Sequence, residues 1–254
     1  MINLIRFKAL AYREILRFLK VINQTILSPV VSSFLYLSVF GVILGNHVEK
    51  IGTVPYISFI IPGIVVMEII MAAYSNASSS LFLSRYLHLI DSMLVTPVTY
   101  TELVLSYIVA GIFRGFIVGI CIWLVSLFFA PFQLAHAFMF VFMIIGIGTI
   151  FSGAGLLVAL WSEEFEDLSI VTTYLITPLI FLGGTFYSIK MLPPLLYKLT
   201  IYNPFFYLID AFRWSITGYS EGSLSISLLL TLGLAVFFAG LNIYLFKSGY
   251  KLKQ

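Results

Sequence analysis

The sequence predicts an all-α integral membrane protein with six transmembrane helices, and three observations carry that prediction. Charged residues make up 10% of the 254 positions against 61% hydrophobic ones, and the mean hydropathy is +1.07; a soluble domain carries about 25% charged residues. The charges divide the chain into six apolar stretches, each offering the roughly 20 residues that a spanning helix needs. None of them alternates polar and apolar at every second position, as a membrane β-barrel strand must. The aromatic content, 17%, suits a lipid-facing surface with interfacial belts.

Taken in order, residues 1–22 read as an amphipathic helix lying in the membrane interface. At about 100° per residue Arg6, Arg13, Arg17 and Lys20 share one arc, while Leu4, Ile5, Ile15, Phe18, Leu19 and Ile22 lie elsewhere on the wheel. The basic face is expected toward lipid headgroups; a plain extension of the first span is the alternative. With Arg and Lys scattered through it, this segment does not read as a cleavable signal. The first span, 25–45, sits in the charge-free run Val21–Asn46. The second, 56–80, carries one charge, Glu68, and the third, 103–128, carries one, Arg114. The fourth (137–161), fifth (168–189) and sixth (223–246) carry none, so residues 1–254 form a single membrane domain. The lone cysteine, Cys121, lies inside an apolar segment and has no partner for an internal disulfide.

Lysine and arginine set the orientation. Six spans put both termini on one side, and the segments on that side hold nine basic residues, against four in the opposite loops. Both termini are therefore expected in the cytoplasm. The acidic loop Glu163, Glu164, Glu166 and Asp167 falls on the same side, but acids contribute little to that rule.

Three groups of residues stand out as candidate sites. The connection after the second span, 85–96, reads as a short amphipathic helix in which Arg85, His88 and Asp91 interleave with apolar residues including Leu94. It should stop before Pro97, because the residue preceding proline avoids the helical region. Thr101 then looks like the cap of the third span, with Glu102 in its first turn. Such a helix is either an ordinary interfacial loop helix or one that docks in the groove of a partner. The second group is Glu68 and Arg114, both near the midplane, where a lone charge costs several kcal/mol; they are expected to pair across adjacent helices. The third group follows the fifth span: Gly183, Gly184, Tyr187 and Pro193, then the stretch "YNPFFYLIDAFRWSITG". There Asn203 suits an N-cap, Pro204 the first helical position and Gly218 the C-terminal cap. Asp210 and Arg213, three apart, share a face. This helix is too short to span, and it reads as one that dips into the outward side and returns.

Several functions are excluded or disfavoured. No G-x-x-x-x-G-K-[ST] motif is present to hold ATP, and no G-x-S-x-G or H-E-x-x-H occurs. His47, His88 and His136 are too far apart for metal-ligand spacing. A net charge of +3 without a long basic run points away from nucleic acid. Catalysis and resident cofactors are therefore not expected in this chain, which leaves a moving or conducting role. An ion-coupled secondary transporter using Glu68 and Arg114 is the alternative, but it should show inverted repeats, and none is evident. A membrane scaffold or embedded enzyme is weakened by the lack of any nucleophile–base set.

Together, the basic interface helix, the six spans, and the stretches "LHLIDSMLVTPVT", "ITPLIFLGGTFYSIKMLPP" and "YNPFFYLIDAFRWSITG" resemble the transmembrane permease subunit of ABC-2 type exporters. The resemblance covers essentially the whole chain. It implies a homodimer of permeases in a bacterial inner membrane, bound to two separate P-loop ATPase subunits that carry ATP and Mg. It implies that Arg85, His88, Asp91, Leu94 and Pro97 belong to a coupling helix received by the ATPase. Residues 190–218 then correspond to two re-entrant helices near the extracytoplasmic mouth, with Asp210 and Arg213 a local ion pair at that wet mouth. Relatives often carry Glu-Leu where this chain has Asp91-Ser92, and Glu68 matches no motif of the family. The implied substrate is amphipathic or lipid-linked: a polysaccharide, a glycolipid or a hydrophobic drug.

Overall fold

A computed structural model of the chain describes residues 3–45, 48, 50–130 and 134–252, without the side chains of residues 42, 44, 92 and 94. His47 lies outside the described residues. Helix α1 (Leu4–Leu19) opens on Asn3, whose side chain accepts from the Ile5 N–H. An apolar run follows in which a π-helical turn (Asn23–Leu27), α2 (Ser28–Tyr36) and a second π-helical stretch (Leu37–Leu44) are continuous. A two-residue hairpin, β1 (Lys50–Ile51) with β2 (Val54–Pro55), leads into α3 (Tyr56–Tyr86). Then come α4 (Leu89–Val95), α5 (Tyr100–Ser126) and α6 (Ala137–Trp161). The helix Asp167–Leu182 joins α7 (Asp167–Val171), a π-helical turn (Thr172–Ile176) and α8 (Thr177–Leu182). A 3₁₀ turn (Ile189–Met191), α9 (Pro194–Tyr202), α10 (Pro204–Thr217) and α11 (Leu224–Ser248) complete the fold.

Two of the π turns have a local cause. Pro29 and Pro178 each lack an N–H and would press their rings on the carbonyl four residues back. Asn23–Leu27 precedes Pro29 and Thr172–Ile176 precedes Pro178, so the wider turn moves that carbonyl off the ring. Thr177 Oγ1 donates to Thr172 O at 2.8 Å, five residues back, alongside the Thr177 N–H that closes the wide turn on the same carbonyl.

Among the described residues five helical runs are long and apolar enough to cross a membrane: Asn23–Gly41, Tyr56–Tyr86, Tyr100–Ser126, Ala137–Trp161 and Leu224–Ser248. The expected fifth span, 168–189, is shorter than its sequence run. Its helix stops at Leu182, about 24 Å of rise against a core of about 30 Å. Gly183 and Gly184 end it, the latter at φ +77°, and the chain then folds inward so that Thr185 and Phe186 are buried. The second span is longer than expected and takes in Arg85, so the helix expected over 85–96 begins only at Leu89. The break falls at His88, which sits in the left-handed region at φ +54°. The cap of the third span is Thr99, not Thr101. Thr99 Oγ1 accepts from the Glu102 N–H at 3.3 Å and Glu102 accepts from the Thr99 N–H at 2.8 Å, a reciprocal capping box that places the helix start two residues earlier.

Helix α3 is the centre of the bundle, packed on α5, α6 and α10. Small residues let the helices meet closely. A Cβ at Gly155 of α6 would lie 2.6 Å from the Tyr74 backbone oxygen and 3.1 Å from the Ser78 nitrogen of α3, whereas one at Gly240 of α11 meets nothing within 4 Å. Gly155→Ala is therefore expected to force α3 and α6 apart and to destabilise by about 1–3 kcal/mol, the range for overpacking. Gly240→Ala should be neutral or slightly stabilising. Thermal melting of the two variants in detergent checks this, and equal midpoints would contradict it.

Candidate functional site

At one end of the bundle lie α1, α4, the start of α5 and the C-terminal end of α11. Ile90 of α4 is buried in an apolar cluster with Leu81, Phe82, Val104 and Tyr107. Its other side is open: Leu89 and Tyr86 are exposed and Val95 is 89% exposed. His88 Nδ1 lies 3.6 Å from Asp91 Oδ2, on the exposed side. Leu94 lies in the helix, and its side chain falls outside the described residues. Arg85 points the other way: it is buried and donates to the Ala159 and Ser162 carbonyls at the C-terminal end of α6, where the helix dipole favours a cation.

The basic arc of α1 makes contacts within the bundle that its pattern does not reveal. Arg6 donates to the Pro97 carbonyl, Arg13 Nη1 contacts Met93 Sδ at 3.2 Å, and Arg17 Nη2 donates to Asn76 O at 2.9 Å; Lys20 remains exposed. The apolar residues Leu4, Ile5 and Tyr12 share the exposed side with Lys8, Arg13 and Lys20. The reason for the bundle contacts is Glu14, which the sequence reading passed over. It is 2% exposed, accepts from Arg13 Nη2 at 2.6 Å, lies 3.4 Å from Arg17 Nε, and accepts from Ser80 Oγ of α3. A buried carboxylate recruits the cations around it; the signal was an acid beside Arg13 and three before Arg17. Asn3 and Glu102 add a second tie, the Asn3 N–H donating to Glu102 Oε1 at 2.5 Å.

Glu68 and Arg114 do not pair. Among the described residues, Glu68 receives the Ser32 hydroxyl of α2 at 3.2 Å, and no ion pair joins it to Arg114. Arg114 Nε is buried without an acceptor. The polar group that α2 brings to Glu68 is the Ser32 hydroxyl, whose single hydrogen is shared with the Ser28 and Pro29 carbonyls, each at 3.1 Å.

At the opposite end, Asn203 accepts from the Phe205 N–H at 3.0 Å and its Nδ2 donates to Leu179 O at 2.7 Å, tying α10 to α8. Pro204 opens α10, and Gly218 at φ +71° closes it. Pro193 precedes α9, most of whose residues are exposed. Asp210 and Arg213 lie 3.7 Å apart but not at a wet mouth: both are fully buried. Arg213 Nε donates to Phe59 O at 3.1 Å and Nη2 to Gly184 O at 2.6 Å, with the guanidinium 3.7 Å from the Phe59 ring centroid. Asp210 accepts from the Glu221 and Gly222 N–H groups at 2.8 and 2.9 Å and from Ser220 Oγ at 2.8 Å. Glu221 was not anticipated either. It accepts from Ser188 Oγ and from the Ile189 N–H at 3.1 Å, beside half-buried Tyr187. This network joins α3, the turn after α8, α10 and the loop before α11.

The arrangement is a helical bundle with a tethered, partly exposed helix at one end and a locked cap at the other. The family model for the ABC-2 type transporter matches residues 5–217. The chain belongs to the ABC-2 type transporter family. This ABC-2 chain is 36% identical over 235 residues to the inner membrane transport permease YadH of Escherichia coli K12, covering 92% of the chain and 90% of that relative. It is 23% identical over 228 residues to nodulation protein J of Neorhizobium galegae, with 89% and 87% coverage. It is a membrane transport permease with several membrane-spanning helices. Permeases of this family lack an ATPase site of their own and typically work with an ATPase subunit.

Proposed function

We propose that the chain is the permease subunit of an ATP-driven ABC-2 exporter in a bacterial inner membrane, with both termini in the cytoplasm. Two copies form the path, and two separate P-loop subunits bind ATP and Mg. The helix Asp167–Leu182 completes a sixth span together with the turn that follows it, and α9 and α10 are re-entrant helices on the extracytoplasmic side. The cargo is amphipathic or lipid-linked, in the range from glycolipid and polysaccharide to hydrophobic drug.

The observation that carries this reading is α4. It is anchored by Ile90, yet it leaves Leu89 and Val95 open beside His88 and Asp91, an apolar patch rimmed by charge and suited to a groove on another protein. Arg13 at Met93 and Arg6 at Pro97 link α4 and its exit turn to α1, so a push on α4 reaches the membrane helices. ATP-driven closure of the ATPase pair then biases two states of the permease dimer, which must bind cargo differently for the cycle to move it. Purification of the tagged chain from its native membrane tests the reading. A P-loop ATPase is expected to accompany it in a complex with the mass of two permeases and two ATPases. A chain that always purifies without one contradicts the proposal.

A further inference from the structure

Among the described residues Arg114 of α5 makes no hydrogen bond or ion pair, and its buried Nε has no acceptor. The side chain as a whole is only half-buried, so its Nη nitrogens reach the surface. Arg17 of α1 lies at the same level. The Asn3 N–H meets Glu102 near the start of α5, and Phe18 packs on Phe113 with ring centroids 6.3 Å apart. Helix α1 therefore runs beside the first half of α5 and ends next to Arg114, close enough for the Arg17 and Arg114 charges to repel. Lys20, exposed, follows about one turn later.

The carboxylate nearby is already spent. Glu14 accepts from Arg13 and Ser80 and faces Arg17 Nε at 3.4 Å. Arg17 Nη2 is held by Asn76 O and Oδ1 at 2.9 and 3.2 Å, while Nη1 has no acceptor among the described residues. Asn76 is fully buried, and its Nδ2 has no acceptor either. The seam of α1, α3 and α5 carries more donors than acceptors.

Counted along α5, Arg114 falls near the middle of a span. Yet the charge-free run of the first span begins only at Val21, just past the end of α1. The seam therefore lies where headgroups give way to acyl chains. Beyond it Phe113, Ile117, Ile120 and Leu124 share one face of α5 over about 16 Å, each exposed or half-buried. Two guanidinium groups at the foot of an apolar lane match a phosphate ester that carries an acyl chain.

We infer that Arg17 and Arg114 hold the phosphodiester of an anionic phospholipid from the leaflet on the α1 side, with an acyl chain along the lane on α5. Two unneutralised guanidinium groups at this depth are costly, and the anion removes that cost. The bound lipid clamps the end of α1 to α5 at the point where the first span begins. It is a resident lipid and not the cargo, and the inference does not depend on the ATPase.

The full chain, stripped of lipid in detergent, is titrated with phosphatidylglycerol and separately with phosphatidylcholine, and bound lipid is counted by native mass spectrometry. One phosphatidylglycerol per chain is expected to bind about tenfold more tightly than phosphatidylcholine. Arg114→Gln should abolish that preference, and Arg114→Lys should keep part of it. Lys8→Gln removes an exposed cation of the same helix and should leave the preference unchanged. In lipid-free detergent Arg114→Gln should melt no lower than the wild-type chain, because Arg114 has no protein acceptor to lose. Inorganic phosphate in large excess should not displace the lipid, whose acyl chain supplies part of the affinity. Equal binding of the two lipids, a preference that survives Arg114→Gln, or an equal loss in Lys8→Gln overturns the inference. So does a lowered melting midpoint in Arg114→Gln, which would make Arg114 a structural residue, and so does displacement by inorganic phosphate, which would make the site one for the free anion.

Discussion

Arg213→Ala is expected to leave little or no folded protein. The Arg213 guanidinium is fully buried, and removing it strips the donor from Phe59 O and Gly184 O while leaving Asp210 without its cation. Breaking a buried pair by deleting one partner costs about 3–5 kcal/mol, a large share of the stability of an ordinary domain. Arg213→Lys keeps the charge but cannot reach both carbonyls from one rigid fork, so it should restore only part of the loss. Asp210→Asn should be milder than Arg213→Ala, because an amide oxygen still accepts from one of the two N–H groups at Glu221 and Gly222. The yield of monodisperse chain in detergent, read by fluorescence-detected gel filtration, orders the variants. Wild-type yield from Arg213→Ala would show that the network is dispensable.

Glu14→Ala is expected to free α1 from the bundle. Glu14 is nearly inaccessible, but Arg13 and Arg17 remain partly exposed, so solvent relieves some of the unpaired charge and the cost falls below that of a fully buried pair. About 1.5–3 kcal/mol is a fair expectation once the orphaned Ser80 hydroxyl is included. The effect should be local. Amide exchange over residues 4–19 should rise about tenfold or more while α3 and α6 keep their protection. Glu14→Gln retains an acceptor for Ser80 and should fall between the two. Unchanged exchange in Glu14→Ala would mean that α1 is held without Glu14, by Ala11 and Phe18 together with the ties of Asn3 to Glu102, Arg6 to Pro97 and Arg17 to Asn76.

What the sequence made legible was local or compositional. The ends of α10 were marked by Asn203, Pro204 and Gly218 because caps are read within three or four residues. The same local chemistry, followed strictly, would have put the start of α5 at Thr99, since Thr99 and Glu102 stand in the capping-box spacing. Span lengths were less legible. Hydropathy counts Phe186 and Ile189 as membrane residues whether they continue a helix or fold back onto a core, and only Gly184 at positive φ marks the difference. The polar contacts were hardest to read, because partners distant in sequence decide them. Glu68 was matched with Arg114 as the other midplane charge, but the group beside it is the Ser32 hydroxyl of α2. The basic arc of α1 was assigned to lipid because its partners, Asn76, Met93 and Pro97, lie in other parts of the chain. Asp210 and Arg213 were paired from their spacing of three, while the burial that gives the pair its weight depends on Phe59, Gly184 and Ser220.

The central claim is that α4 couples this permease to a separate ATPase. Val95→Asp tests it most directly, because Val95 is open to solvent and its substitution leaves the packing of Ile90 untouched. The measurement is the molar ratio of ATPase to permease after purification of the tagged chain from native membranes. A charge buried in an otherwise apolar docking groove costs several kcal/mol, so the account predicts a fall in that ratio of about tenfold or more, with the elution of the permease itself unchanged. A ratio equal to that of the wild-type chain would place the ATPase elsewhere and contradict the account.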